Sequence, residues 1–155
     1  MTRITERTGE VRSRLASERG QALLETALTL PLVLLVAVSI FEFGRAYQTS
    51  QVLTNAAREG ARIAVLPNAN PADVQARVVA YMRGGQLGNA DRATVSVNQA
   101  ATMSIGASTA SASVVTVNYP FSFLVLNPVA NMVRRGSLGA PLTMVARAEM
   151  RNEAQ

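Results

Sequence analysis

The sequence predicts an α+β protein. Its long N-terminal helix spans a membrane in its first half and packs by its outer half on a small antiparallel sheet with one or two short helices. Three observations point there. Residues Gln21 to Phe41 are an apolar run with one charge, Glu25. From Val52 to Ala64, small and apolar side chains return at helical spacing. From Leu142 to Met150 the pattern changes to alternation, the signature of a strand covered on one face.

The apolar run comes first. Its 21 residues, Gln21 to Phe41, make a helix of about 31 Å at 1.5 Å per residue, matching the roughly 30 Å hydrocarbon layer of a bilayer. The rest of the chain is too small to wrap a helix that is apolar on every side, so a lipid solvent explains it better than a protein core. Five Arg precede the run (Arg3, Arg7, Arg12, Arg14, Arg19), whereas the fifteen residues after Phe43 hold only Arg45 and Arg58. The positive-inside bias therefore places the N-terminus in the cytoplasm and the C-terminal domain outside. Pro31 lies within the run and takes the amide partner from the Ala27 carbonyl, which bends a helix or loosens one turn. Membrane helices accommodate this where Ser, Thr or neighbouring helices rescue the backbone.

Beyond Phe43 only single glycines, Gly44 and Gly60, interrupt the pattern before Pro67. One helix from Gln21 to about Leu66 follows, divided into a membrane-spanning part (21–43) and an extracytoplasmic continuation (44–66). Its outer stripe of Ala56, Ala57, Gly60, Ala61 and Ala64 admits close approach by a sheet or helix. The pairs Glu42–Arg45 and Glu59–Arg62, three residues apart, fit a solvated face.

The small α+β domain occupies 67–155. Asn70-Pro71 opens a helix as N-cap and first-turn proline, with Val74, Val78, Tyr81 and Met82 as its apolar stripe and Gly84-Gly85 as its end. Strands are expected at Thr94–Asn98, near Thr102–Ile105, at Ser113–Tyr119 and at Leu142–Met150. In the last, Leu142, Met144, Ala146, Ala148 and Met150 face one way and Thr143, Arg147 and Glu149 the other, with Val145 as the exception. The small, polar stretch from Ala107 to Ala112 reads as a turn. Pro120 to Leu126, "PFSFLVL", is unusually apolar for a connection. Two readings stand for Phe121 and Phe123: a buried loop, or contact with a partner protein or the lipid surface. Asn127-Pro128 opens a brief helix that ends at Arg134-Arg135.

Composition removes several functions. All fifteen cationic residues are Arg, against ten acids, for a net charge of +5. They are dispersed and not interleaved with aromatics, which argues against nucleic acid. With no Cys and no His, disulfides, thiolate sites, the commonest metal ligand and the commonest general base are missing. Asp73 and Asp91 are isolated. Glu25, Glu42 and Glu59 recur every 17 residues, which turns each about 100° from the last on a helix. No enzyme, cofactor or metal is expected.

Glu25 admits two physical readings. At the membrane interface it suits the first turns of a helix, where the macrodipole favours negative charge. Alternatively, a cut after Gly20 creates an α-amine at Gln21. That amine can pair with Glu25 within a chain or, with an axial stagger, with the Glu25 of a neighbour. The apolar run itself has three possible fates: a signal peptide cut near Ala37-Val38-Ser39, an uncleaved anchor, or a stem kept after cleavage on the cytoplasmic side.

An Arg-rich leader, Gly20, then Gln21-Ala22-Leu23-Leu24-Glu25 and an apolar run resemble the class III signal of type IV prepilins. Joined to Glu42-Phe43-Gly44-Arg45 and to Asn55-Ala56-Ala57-Arg58-Glu59-Gly60-Ala61-Arg62, the string resembles the N-terminal module of TadE-like proteins, pseudopilins of tight-adherence (Flp) type IV pilus systems. One departure is Thr26, where many relatives carry an aromatic. The resemblance implies a cytoplasmic leader (1–20) cut after Gly20 by a prepilin peptidase, a new N-terminus at Gln21 and a mature charge of +3. It assigns Glu25 to assembly. It implies partners among other pilins, pseudopilins and inner-membrane assembly proteins, with the protein anchored in the bacterial inner membrane. The competing expectation is a small secreted or signal-anchored binding module that is not processed as a prepilin.

Overall fold

The computed structural model describes residues 4–106, 108–125, 127–128 and 142–152, with side chains from Gly20 onward. Helix α1 runs Ile4–Ala64, α2 Pro71–Gly84, and a single 3-10 turn Ala90–Arg92 leads into the sheet. Strands β1 (Thr94–Ile105), β2 (Ser108–Phe121) and β3 (Leu142–Arg151) form an antiparallel meander in the order β1-β2-β3. The α+β architecture read from the sequence, with a long N-terminal helix and a small antiparallel sheet, is the one observed. The chain forms two compact units, Met1–Phe41 and Glu42–Gln155.

In the first unit the helix passes through Pro31. Its hydroxyls turn back on the ladder: Thr26 Oγ1 donates to the Ala22 carbonyl at 2.8 Å, Thr29 Oγ1 to that of Glu25 at 2.9 Å, and Ser39 Oγ to that of Leu35 at 2.7 Å. These bonds hide hydroxyls that lipid would leave unpaired. The Ala27 carbonyl freed by Pro31 is not among their acceptors. Leu23, Leu24, Leu28 and the large residues after them are exposed along the run, with Val38 half-buried.

The second unit has one core. On α1, Leu53, Ala56, Ala57, Ala61 and Ala64 are buried, and on α2 Val74, Val78 and Met82. They meet the alternate residues Val115, Val117, Tyr119 and Phe121 of β2. Pairing sets Val115 opposite Val97 and Ala148, and Val117 opposite Val95 and Ala146, so the three strands offer one apolar face to the helices. Val145 points away and is exposed, as its break in the alternation requires. The small stripe on α1 is what permits this density. A Cβ built on Gly60 would lie 2.5 Å from Val78 Cγ2 and 3.2 Å from Val115 Cγ1, and one on Gly85 would lie 2.5 Å from Val52 Cγ1.

Helix α2 begins as its sequence dictates. The Asn70 side chain accepts from the Ala72 amide at 3.0 Å, and Pro71 takes the first turn. Gly85 forms its end with negative φ, and the left-handed residue is Gln86. Gly85 is thus small because Val52 is close, not because the turn needs a glycine.

Four expectations are corrected. Helix α1 ends at Ala64, two residues short of Leu66, and its N-terminal assignment extends back into the leader to Ile4. The two short strands at Thr94 and Thr102 are one strand, kinked by a register shift between Asn98 and Ala101. Ser108 to Ala112 is not a turn: it pairs with Ala101 to Ile105, leaving the reversal at Gly106, which has positive φ. Pro120 and Phe121 belong to β2 and pair with Thr143 and Leu142. Both lie past Asn118, the last β2 residue paired with β1, so β2 is locally an edge where Pro is tolerated. Beyond Pro128, the brief helix and Arg134-Arg135 lie outside the described residues.

The kink in β1 has a purpose. It leaves Gln99 free to reach the end of α1, where its Nε2 donates to the Ala64 carbonyl at 3.1 Å and the Ala69 carbonyl at 3.0 Å. Ser113 Oγ, fully buried, lies 3.1 Å from the same Ala64 carbonyl and 2.7 Å from Asn152 Oδ1. Carbonyls at the last turn of a helix lack intrahelical donors. Here strands β1 and β2 supply them.

Candidate functional site

Two regions hold the candidate functional residues. The first is the start of the apolar helix. Gly20, Gln21 and Glu25 are helical and exposed. A Cβ on Gly20 would meet nothing within 4 Å, so packing does not demand a glycine there. A glycine inside a helix costs about 1 kcal/mol against alanine, and among the described residues no close contact at Gly20 offsets it. Gly44 is open in the same way. Among the described residues, Glu25 makes no ion pair within its own chain.

The second region is one that sequence reasoning placed wrongly. Glu42 was expected on a solvated face with Arg45, yet it is wholly buried. Helix α1 supplies both residues, three apart, and Arg45 Nη2 donates to Glu42 Oε2 at 3.1 Å. The other carboxylate oxygen, Oε1, accepts the successive backbone N–H groups of Leu124 and Val125, each at 2.8 Å. Arg45 also donates to the Ser122 carbonyl, and its guanidinium stands 4.6 Å from the centre of the Phe121 ring. Phe123 completes the join, meeting Phe43 edge-on at 6.0 Å and Phe121 at 5.2 Å.

The energetics explain why a charge can sit there. Taking a carboxylate out of water costs several kcal/mol unless its lone pairs are met and an opposite charge is near. Two converging amides and a guanidinium meet both conditions. The result is a clasp that fixes the segment after β2 against α1 at the first turn following Phe41. Of the two readings left open for the aromatics, burial is the one observed for Phe121. Phe121 is buried, Phe123 is half-buried, and the next two side chains, Leu124 and Val125, are 61% and 43% exposed. The other acid–base pair behaves differently: Glu59 reaches Arg62 at only 4.0 Å and is held mainly by Arg77 of α2 at 3.0 Å.

The Glu42–Arg45 spacing and the uncharged "PFSFLVL" were both visible in the sequence. The link between them was not, because the donors are backbone amides and carry no side-chain signature.

Together these features define a protein with a long, exposed apolar N-terminal helix and a small α+β unit, or head, in which Glu42 clasps the segment after β2. A family model described as "TadE-like protein" matches residues 20–62. Over that segment the chain is similar to TadE-like proteins. The match starts at Gly20, contains Glu25, Glu42 and Arg45, and stops before α2, so α2 and the three strands are outside it. No curated protein and no solved structure matches the chain. A TadE-like segment and an apolar helix long enough to cross a membrane fit a pilus-associated membrane protein.

Proposed function

We propose that the chain is a membrane-anchored pseudopilin or minor pilin of a tight-adherence pilus assembly system. In this reading a prepilin peptidase cuts after Gly20, and the mature protein assembles through its N-terminal helix. The observation that carries the reading is an apolar helix none of whose most apolar window is buried, set directly behind the glycine where the TadE-like match begins. A helix of that kind stays out of water only in lipid or among other helices of its kind. The five leader Arg place the N-terminus in the cytoplasm and the head outside the inner membrane. Glu25 takes the amine of Gln21 as counter-charge, its own or that of a staggered neighbour. The role is structural, with other pilins, inner-membrane assembly proteins and the bilayer as partners.

Intact-mass measurement of the exported protein is the test. A start at Gln21 supports the reading, and Gly20→Ala then blocks most of the processing. A start near Ile40 identifies a secreted module, and a full-length active protein identifies a simple anchor; either result overturns the prepilin assignment.

A further inference from the structure

The clasp presents an apolar surface that the core does not use. Phe43 is 62% exposed, Leu124 61% and Tyr47 68%, with Val125 beside them. Phe43 and Tyr47, four apart, share a face of α1, and Phe43 touches Phe123 of the clasped segment. No residue from Pro120 to Leu126 is charged. A loop meant for water would not be built this way, and a buried carboxylate would not be spent on holding it still.

Its position follows from chain connectivity. Glu42 is joined to Phe41 by one peptide bond, and Phe41 ends the apolar run. The amides of Leu124 and Val125 are hydrogen-bonded to Glu42 itself. These bonds keep the Leu124 and Val125 backbone within a side chain's length of the residue that follows the run. We propose that Leu124 and Val125, with Phe43 and Tyr47, form a footing that dips into the outer interface of the bilayer and seats the head on the membrane. Apolar side chains beside an amphipathic Tyr suit that layer, where ring and hydroxyl find different solvents. Lipid is preferred to a second copy because Phe43, Leu124 and Val125 lie beside Glu42, the residue next to the apolar run, and none of the four side chains is charged. The footing rests on the reading that the helix from Gln21 is membrane-embedded.

The chain has no Cys, so single-cysteine probes are unambiguous. Leu124→Cys, Val33→Cys and Ser104→Cys are each labelled with an environment-sensitive fluorophore. The full-length proteins are placed, one copy per disc, in phosphatidylcholine–phosphatidylglycerol nanodiscs containing doxyl-labelled lipids. Ser104 pairs with Thr109 at the far end of β2, twelve residues from Phe121 and so roughly 40 Å away along the strand. Leu124→Cys is expected to be quenched about three-fold more than Ser104→Cys, and more by shallow than by deep doxyl groups, as an interfacial depth of about 5–10 Å requires. Quenching of Val33→Cys without quenching of Leu124→Cys overturns the footing while anchoring stands. If neither site is quenched, anchoring falls and the footing with it. Shielding of Leu124→Cys that needs two copies per disc assigns the patch to protein contact and also overturns the proposal.

Discussion

Oε1 of Glu42 accepts the amide hydrogen of Leu124, 82 residues further along the chain, at 2.8 Å. A carboxylate on the first helix thus binds the segment that follows β2. Removing it leaves the Leu124 and Val125 amides without their acceptor and the Arg45 guanidinium with the Ser122 carbonyl but no counter-charge. Breaking a buried charged pair on one side costs about 3–5 kcal/mol. Glu42→Ala is expected to lower stability by about that amount, read from denaturant unfolding of the full chain in detergent. Glu42→Gln keeps an acceptor for the amides and loses only the ion pair, so it should cost about half as much. Hydrogen exchange at Leu124 and Val125 should accelerate in the order Ala over Gln over the parent.

Gly60 makes a second, steric prediction. Its absent Cβ would press on Val78 Cγ2 and Val115 Cγ1, and both valines are fully buried with β-branched side chains that cannot swing aside. Gly60→Ala should therefore destabilise the head by about 1–3 kcal/mol, despite alanine's better helix propensity. Val78→Ala in the same chain should recover part of the loss. If Gly60→Ala raises the melting temperature, the close approach of α1 to α2 is wrong.

The capping of α1 predicts the behaviour of Gln99. Its amide meets two carbonyls that terminate the helix and its following turn. Gln99→Ala should cost about 1–2 kcal/mol, near the value of one or two half-buried hydrogen bonds. Exchange should quicken at the last turn of α1 and leave α2 unchanged. Deleting the extra residue of the kink, so that Gln99 is forced into register with β2, should cost more than the alanine substitution.

These cases show what the sequence could and could not reveal. Leu142 to Met150 and Asn70 to Met82 were legible because each carries its period and its boundary chemistry in adjacent residues. Ser108 to Ala112 was not: small polar side chains give no apolar alternation, and the segment is a strand only because Ala101 to Ile105 offers a backbone to pair with. Gln99 fell in the gap between the strands expected at Thr94–Asn98 and Thr102–Ile105, because the kink that frees it is a property of two strands together. Glu42 misled for the same reason. Its nearest charge, Arg45, suggested a surface pair, and the amides that bury it stand 82 and 83 positions away. The long helix was legible in composition alone, since nothing in a short head can cover a run such as Leu28 to Phe41.

The proposed pairing of Glu25 with the Gln21 amine separates processing from assembly. Glu25 is exposed and five residues past Gly20, so a peptidase that reads the glycine and the apolar run does not need the carboxylate's charge. Glu25→Ala should leave the mature N-terminus at Gln21, by intact mass. Assembly is different, because the amine then enters the helix bundle without its counter-charge. A charge-assisted hydrogen bond of about 1.5–3 kcal/mol is lost, equivalent to about a ten-fold or greater weakening of association. Crosslinking to co-expressed partner pilins through the outer half of α1, compared between Glu25→Ala and the parent, reads that loss. Glu25→Asp should recover part of it, since the charge returns on a shorter arm. Normal crosslinking by cleaved Glu25→Ala would remove the residue from the assembly interface and return it to the headgroup layer, where the helix dipole alone accounts for it.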